Sequence, residues 1–303
     1  MNFTQKIFSK NQHDLWLKHL DDEGYVVIKD ILTDEEKTNA FNLFTKDIQT
    51  VSPNLNFENP ESFIIQNVPC MFGKGMAVFN GFGQSDAMWN LRTNNNIQNI
   101  FKAIHKTDEL VVSLDGFSLF VSSEQKSKPW LHIDQNPSNQ MYSIQGAYNL
   151  LPVTNESAGF VVIPKSHKLY NPEVSHKKNW IICENQKKIM EKAVKLIIPE
   201  NCLVLWNSKT IHCNIGMNGK RKSLDRITAF LSYQPKSIRN DEILKKRKEA
   251  YFEKKSTSHW VDRCEIKQYP WGFKTNYEKK KFKSINLTLN IDGTIPNERL
   301  ELL

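Results

Sequence analysis

The sequence of 303 residues contains no long apolar run. A helix that crosses a bilayer needs about 18 to 20 apolar residues in succession, and no segment approaches that length. The first six residues, Met1-Asn-Phe-Thr-Gln-Lys6, also lack the apolar stretch of a secretory signal peptide. We therefore expect a soluble, intracellular protein located in the cytoplasm.

Paired cysteines are missing as well. The five cysteines are an odd number, and no two have the Cys-x-x-Cys spacing. They stand at positions 70, 183, 202, 213 and 264. This pattern argues against a disulfide framework and against a zinc ribbon. Cys213 follows His212, but on a strand it would face the opposite way, so we expect it to pack in the core.

The composition of the sequence is typical of a globular protein. Hydrophobic residues make up 39% and charged residues 24%, with 17 Phe and 7 Trp. A single β-rich domain can reach this length, and we expect one domain over residues 1–303. Its core should span about residues 20–235, and a basic extension should follow over about residues 236–303.

The net charge of +8 belongs to the carboxyl-terminal part. Residues 236–283 contain 15 Lys and Arg against 7 Asp and Glu. This excess of positive charge equals that of the whole chain, which has 41 Lys and Arg against 33 Asp and Glu. A basic helix is expected over 243–255, and aromatic residues follow at 256–260 and 269–272. Such a mixture can hold nucleic acid or a phosphorylated substrate, although a solvated helix face is the commoner explanation. Residues 258–260 could instead close over an active site.

The first part of the chain predicts a helical layer against a sheet. A helix around residues 15–20 precedes a β-branched strand from Gly24 to Ile28. Thr33 and Glu36 then have the spacing of a capping box at the start of a second helix. Several short strands separated by turns follow, which predicts a sandwich or jelly roll with added helices.

A polar, Lys-rich excursion over residues 168–195 interrupts these strands. We expect a helix over 184–196 within it. Because the excursion stands between two core strands, it is a candidate lid.

Two residues of one predicted strand, His132 and Asp134, have the spacing of metal ligands. Alternate side chains of a strand point to the same face, so one piece of backbone delivers an imidazole and a carboxylate. His212, which follows the predicted strand 201–206, is the candidate third ligand. Two imidazoles and one carboxylate on one side of a metal, with the other positions open, is the arrangement of non-haem Fe(II) oxygenases.

Arg226 is the candidate anchor for an anion beside that metal. The pair Asn218-Gly219 predicts a hairpin turn, and His212 and Arg226 stand seven residues before and after Gly219. A symmetric hairpin would place them opposite one another on one face of an antiparallel pair. A fixed, bidentate cation there would hold the far end of a dicarboxylate that chelates the metal.

These residues resemble the phytanoyl-CoA dioxygenase family of Fe(II)/2-oxoglutarate oxygenases. The resemblance spans about residues 20–235 and rests on His132-Ile-Asp134, on the run Ser157-Ala-Gly-Phe-Val-Val-Ile-Pro-Lys-Ser-His-Lys168, and on His212 and Arg226. Ile133 replaces a Gln that the acyl-CoA hydroxylases of this family have, so phytanoyl-CoA itself is a poor candidate substrate.

The resemblance implies a mostly β fold with added α, built on a double-stranded β-helix (jelly-roll, cupin-like) core. Helices precede this core, and a helical or irregular extension follows it. It implies that His132, Asp134 and His212 are catalytic ligands of Fe(II), and that Arg226 pairs with the distal carboxylate of 2-oxoglutarate. It further implies an enzyme that uses O2 to hydroxylate a C–H bond of a small organic substrate, with decarboxylation of 2-oxoglutarate to succinate. A carboxylate at Asp134 favours hydroxylation, because related halogenases carry a small residue there.

Three further residues are weaker candidates for contact with 2-oxoglutarate or substrate. Gln145 and Tyr148 belong to the strand after His132-Ile-Asp134, and Asn214 shares the face of His212. Each could equally satisfy a buried polar neighbour. His167 belongs to the family's Ser-His-Lys turn and is expected to be structural, and Lys165 stands where that turn usually has glycine.

Two other functions remain open at this point. One is a catalytically silent β-helix module that holds an acidic partner, such as nucleic acid, through the basic extension. The other is a cupin-like metalloenzyme that does not use 2-oxoglutarate, for which Arg226 would be dispensable. The sequence does not name the small-molecule substrate.

Overall fold

The computed structural model describes residues 4–71, 75–122, 130–171, 173, 176–218, 222–267, 285 and 287–303. The helices are α1 (His13–Glu23), α2 (Asp34–Val51), α3 (Asp86–Arg92), α4 (Asn95–His105), α5 (Gln186–Met190), α6 (Asp241–Phe252) and α7 (Asn297–Leu300). The strands are β1 (Phe8–Ser9), β2 (Tyr25–Lys29), β3 (Met76–Ala77), β4 (Leu110–Val112), β5 (Phe117–Ser122), β6 (His132–Ile133), β7 (Ile144–Asn149), β8 (Gly159–Val162), β9 (Ile181–Ile182), β10 (Val194–Lys195), β11 (Cys202–Asn207), β12 (His212–Ile215), β13 (Lys222–Leu231) and β14 (Tyr233–Pro235). None of these helices is long and apolar enough to span a membrane.

Most strands belong to two sheets. The larger has the order β1-β2-β11-β7-β13-β5-β3, the smaller has the order β10-β8-β12-β6-β9, and β14 pairs with β4 alone. Among these strands, only β1 and β2 pair in parallel. The two large sheets form the predicted double-stranded β-helix, a jelly roll with helices added.

The alternation of strand side chains divides the apolar residues between separate cores. Val26 and Ile28 of β2 pack with residues of α1 to α4 on the outer face of the larger sheet. Tyr25 and Val27 point the other way, into the space between the sheets, where they join Phe160 of β8. The metal-ligand candidates lie at this inner space, so the helical layer supports the site from behind.

The predicted start of the second helix is confirmed. The Thr33 hydroxyl accepts from Glu36 N–H at 3.2 Å, and the Glu36 carboxylate accepts from Thr33 N–H at 2.8 Å, which completes the capping box of α2. Helix α1 ends at Gly24, whose φ of 81° is left-handed and whose N–H donates to Leu20 O.

The turn after β8 is structural, as expected. The His167 ring lies with Nε2 at 2.9 Å from Asp21 O, so it fastens the turn to α1. A Cβ on Gly24 would lie 2.3 Å from His167 Nδ1, and this close approach requires glycine. Lys165 takes the left-handed conformation (φ 63°), which favours glycine, and its N–H donates to Glu23 O.

The predicted hairpin between His212 and Arg226 is wrong. Strand β12 pairs with β6 and β8 in the smaller sheet, whereas β13 pairs with β5 and β7 in the larger one. Consecutive strands of a jelly roll cross between facing sheets, so symmetry about a turn does not make them neighbours in a ladder. Gly219, the proposed centre of the turn, lies outside the described residues.

The excursion over 168–195 contains less helix than predicted. Helix α5 covers only Gln186–Met190, and Val194–Lys195 instead forms β10, which pairs with β8. The middle of the excursion forms β9, which pairs with β6. Edge pairing on both sides of the smaller sheet replaces part of the predicted helix. The role of the excursion as a lid stays a prediction.

The described residues after 236 pack against the main core and against β4. Helix α6 covers Asp241–Phe252 rather than 243–255. Its Arg247 is fully buried and donates to the carbonyls of Val112 and Leu303, and Tyr251 belongs to the main core. Part of the basic character is therefore structural. The aromatic residues at 269–272 lie outside the described part of the chain.

The capping box gives a first prediction. Replacing Thr33 with Ala removes a side-chain acceptor for an orphan N–H of α2 and should lower the free energy of unfolding by about 1 kcal/mol, measured by urea denaturation. Thr38→Ala, inside the same helix where the Thr38 hydroxyl donates to Asp34 O, is the control and should have a smaller effect. Equal losses in both variants would contradict the capping role.

Candidate metal centre and its cavity

The structure brings the three predicted ligands together. β6 and β12 are antiparallel neighbours in which the Cα atoms of His132 and His212 are register partners, and Asp134 follows β6 directly. Asp134 Oδ1 lies 3.4 Å from His132 Nε2, and Asp134 Oδ2 lies 3.2 Å from His212 Nε2. One donor atom from each of the three lies within 4.8 Å of the others.

Backbone carbonyls fix the orientation of both imidazoles. His132 Nδ1 lies 2.9 Å from Trp130 O, and His212 Nδ1 lies 2.8 Å from Thr210 O. A carbonyl only accepts, so each Nδ1 carries the hydrogen and each Nε2 keeps its lone pair for a metal. Two ligand atoms bound at right angles, at bond lengths of about 2.1 Å, would lie about 3 Å apart. The observed separations of Nε2 and carboxylate oxygens fit that spacing.

The Asp134 carboxylate is held in place and kept ionised. Its backbone N–H donates to Ser208 O at 2.9 Å, and Gln145 Nε2 donates to Oδ2 at 2.9 Å. Burial opposes ionisation, but His132 and His212 outweigh burial and hold the pKa of Asp134 well below its usual value. Burial, together with His132, lowers the pKa of His212. An ionised carboxylate and a neutral imidazole are the protonation states that a metal ion requires.

Arg226 is a buried cation without a carboxylate partner among the described residues. Its Nε donates to Thr228 Oγ1, and its Nη1 donates to Gly159 O and to Asn214 Oδ1, both at 2.8 Å. Within the described part of the chain, Nη2 has no acceptor. Burial lowers the pKa of Arg226 to about 9, so the guanidinium is charged near neutral pH. A buried charge without a counter-ion costs several kcal/mol, and the position therefore favours an anionic ligand.

The weaker candidates separate into two groups. Asn214 and Gln145 both line the cavity of the triad: Asn214 contacts Arg226, and Gln145 contacts Asp134. Tyr148 does not belong to this site. It faces the helical core, and its hydroxyl donates to Asn201 Oδ1 at 3.0 Å. Residues 145 and 148 differ by an odd number along β7, so they point to opposite faces of the strand.

Trp206 and Thr228 belong to the site but were not predicted from the sequence. Trp206 is the register partner of Gln145, and its ring centroid lies 5.3 Å from that of His212. Its buried Nε1 has no acceptor among the described residues. Thr228 lies two residues beyond Arg226 and therefore on the same face, where it accepts from the guanidinium. The period of two along β13 could have identified Thr228; nothing in the sequence singled out Trp206.

The triad opens into a cavity of about 790 Å³. Its aromatic walls consist of Trp130, Phe160, Trp180, Trp206, Phe230 and Trp260. Trp130 stacks on His132 with ring centroids 4.4 Å apart, and Trp180 comes from the excursion before β9. Residues 258–260 also line the cavity, in agreement with the alternative that the extension closes over the site.

No family model matches the chain. A curated relative, "Ava biosynthesis cluster protein O" of Aspergillus versicolor, is 22% identical over 260 residues, which cover 79% of this chain and 83% of the relative.

Solved structures with a similar fold include three that cover most of this chain. EctD from S. alaskensis, solved with 2-oxoglutarate and 5-hydroxyectoine, has a TM-score of 0.52 at 14% identity and covers 79% of this chain and 81% of its own. The non-heme alpha ketoglutarate dependent epimerase SnoN from nogalamycin biosynthesis has a TM-score of 0.50 at 14% identity, covering 74% and 84%. GlcNAc Inducible Gene 2 of Candida albicans has a TM-score of 0.54 at 13% identity, covering 82% and 70%. At these identities the likeness shows a common fold, and membership of the phytanoyl-CoA dioxygenase family stays a prediction.

The Gln145 contact gives a second prediction. Gln145→Met keeps the side-chain length but removes the donor to Asp134 Oδ2, so Mn(II) affinity should fall by about 10- to 100-fold, measured by electron paramagnetic resonance titration. Tyr148→Phe changes the opposite face of the same strand and serves as the matched control. Unchanged Mn(II) affinity in Gln145→Met would show that this contact does not support a metal site.

Proposed function

We propose that the chain is an Fe(II)/2-oxoglutarate-dependent dioxygenase. It hydroxylates a C–H bond of a small organic substrate and decarboxylates 2-oxoglutarate to succinate. The observation that carries this proposal is a buried guanidinium beside a His-Asp-His group, with no carboxylate partner among the described residues. Asn214 connects the two, because it accepts from Arg226 and lines the cavity of the triad.

The donor set fits iron. Two imidazole nitrogens and one carboxylate, grouped on one side, are the ligands of non-haem Fe(II) oxygenases. His132, Asp134 and His212 would hold the ion, which supplies open coordination positions and the redox chemistry needed to activate O2. The carbonyls of Trp130 and Thr210 keep both imidazoles turned with Nε2 toward the metal position.

The surroundings of Arg226 fit a dicarboxylate. Nη2 of Arg226 and Nε1 of Trp206 are donors without an acceptor among the described residues. Thr228 and Gly159 hold the guanidinium in one orientation. A carboxylate of 2-oxoglutarate beside Arg226 would give Nη2 an acceptor and neutralise the buried charge. The remaining volume of the cavity is large enough for a second organic molecule.

The similar folds support 2-oxoglutarate as cosubstrate but differ in reaction. EctD is described with 2-oxoglutarate and 5-hydroxyectoine, whereas SnoN is described as an epimerase. Hydroxylation is our narrower proposal, and it rests on the retained Asp134 carboxylate. A product heavier than its substrate by one oxygen atom supports hydroxylation, and a product of unchanged mass contradicts it.

A turnover assay tests the proposal. Protein supplied with Fe(II), 2-oxoglutarate and O2 should form succinate even without its substrate, because uncoupled turnover needs only the metal and the cosubstrate. His132→Ala and Asp134→Ala each remove a metal ligand and should lower the rate by about 100-fold or more, measured by mass spectrometry of succinate. Unchanged rates of succinate formation in these two variants would contradict the proposal and favour a catalytically silent binding module.

Arg226 separates this proposal from a metalloenzyme that does not use 2-oxoglutarate. Arg226→Met removes the buried cation and should raise the KM for 2-oxoglutarate by about 100-fold. Mn(II) affinity should stay unchanged, because Arg226 makes no contact with His132, Asp134 or His212. If the KM for 2-oxoglutarate stays the same in Arg226→Met, the anchoring role is wrong.

A further inference from the structure

The carboxyl-terminal extension places a short strap, residues 256–267, over the cavity of the triad. Thr257 N–H donates to Leu114 O at 2.8 Å, and Leu114 N–H donates back to Thr257 Oγ1 at 3.2 Å. Ser256 Oγ accepts from Gly83 N–H and donates to Val78 O. These bonds fasten the beginning of the strap to Leu114, Gly83 and Val78.

The strap also closes on itself. Thr257 and Ile266 form an antiparallel bridge, and Ser258 donates from both its N–H and its hydroxyl to Glu265. The Arg263 guanidinium lies over the Trp260 ring at 5.0 Å. The tip between these contacts carries His259 and Trp260, both of which line the cavity.

His259 carries a polar atom, Nε2, that has no hydrogen-bond partner among the described residues. Its Nε2 is buried and makes no hydrogen bond with any described residue, although the side chain lines the cavity. Burial lowers the pKa of His259 to about 4, so the ring is neutral near pH 7. His259 does not belong to the group of donor atoms that share the metal position. A buried polar atom without a partner is rare in native structures and requires an explanation.

His19 provides an instructive contrast. Its Nε2 is also buried without a partner, but its ring packs against Phe8 and Tyr25, outside the cavity. No ligand could reach His19 through the cavity that His259 lines. An unpartnered nitrogen alone is therefore insufficient evidence of a ligand-binding role. His259 differs from His19 because its side chain lines the cavity.

The cavity that His259 lines has apolar and aromatic residues beside the charged residues Asp115, Arg263, Glu265 and Lys267. Trp260 neighbours His259 with ring centroids 4.9 Å apart, and Phe230 and Met76 line the same cavity. Trp180 is 46% exposed and lies with its ring centroid 5.7 Å from that of His132. Aromatic walls with a small number of polar groups are typical of a site for a ring-containing, largely apolar ligand.

We propose that His259 is a substrate-contacting residue, whose Nε2 forms a hydrogen bond with a polar group on a bulky, ring-containing, largely apolar substrate. This role of His259 rests on the proposed function, in which the reaction on that substrate takes place at the metal. Binding of such a molecule to the strap and the tryptophans does not itself require that reaction.

The test compares 2-naphthol with naphthalene, which has the same rings but no hydrogen-bonding group. The full chain is used without metal, and again with Fe(II) and 2-oxoglutarate under nitrogen, and dissociation constants are measured by ligand-observed NMR. Wild-type protein should bind 2-naphthol about fivefold more tightly than naphthalene, the effect of one neutral hydrogen bond. His259→Phe keeps an aromatic ring but removes the nitrogen, so the two ligands should bind equally.

Two further variants keep the test decisive. His259→Gln restores a hydrogen-bonding group and should recover part of the preference for 2-naphthol. His19→Phe is the matched control and should keep the full preference. The inference is overturned if wild-type protein binds neither ligand, or if His259→Phe keeps the wild-type preference. Because the metal-free form gives this result without turnover, failure to form succinate would contradict the proposed function and leave the His259 inference standing.

Discussion

The antiparallel pairing of β6 with β12 is the constraint on which the site depends. It makes His132 and His212 register partners. It also places the carboxylate of Asp134, two residues after His132, between their Nε2 atoms. The edge strand β9 pairs with the other side of β6, so this two-residue strand is held from both sides. A triad built on paired strands needs little further rearrangement to hold a metal ion.

The facing sheet adds the second half of the site. Arg226 lies on β13 of the larger sheet and reaches across the interior to Asn214 on β12 of the smaller one. In the part of the chain that the structure describes, the charge is stabilised by neutral acceptors alone, Thr228, Gly159 and Asn214. A structure that buries a cation in this way gains stability when an anion binds. The triad and this cation together favour a metal-chelating dicarboxylate over a simple metal site.

Short-range periodicity predicted much of this from the sequence. The alternation of a strand indicated that His132 and Asp134 share a face, and the capping box located the start of α2. Long-range pairing was not predictable in the same way. Arg226 was selected from a hairpin that does not exist, and it reaches the site because two sheets face each other. Tyr148 was misassigned although the period of two already placed it on the face opposite Gln145. His259 comes from a distant segment whose approach to the cavity depends on tertiary contacts alone.

The most direct test of the central claim is a calorimetric titration of 2-oxoglutarate into the protein under nitrogen, with and without Fe(II). The triad and Arg226 should act as one site, so Fe(II) should raise the affinity for 2-oxoglutarate by at least about tenfold, with one molecule bound per chain. Asp134→Ala should abolish this effect of the metal. Equal affinity with and without Fe(II) in the wild-type protein would contradict the claim.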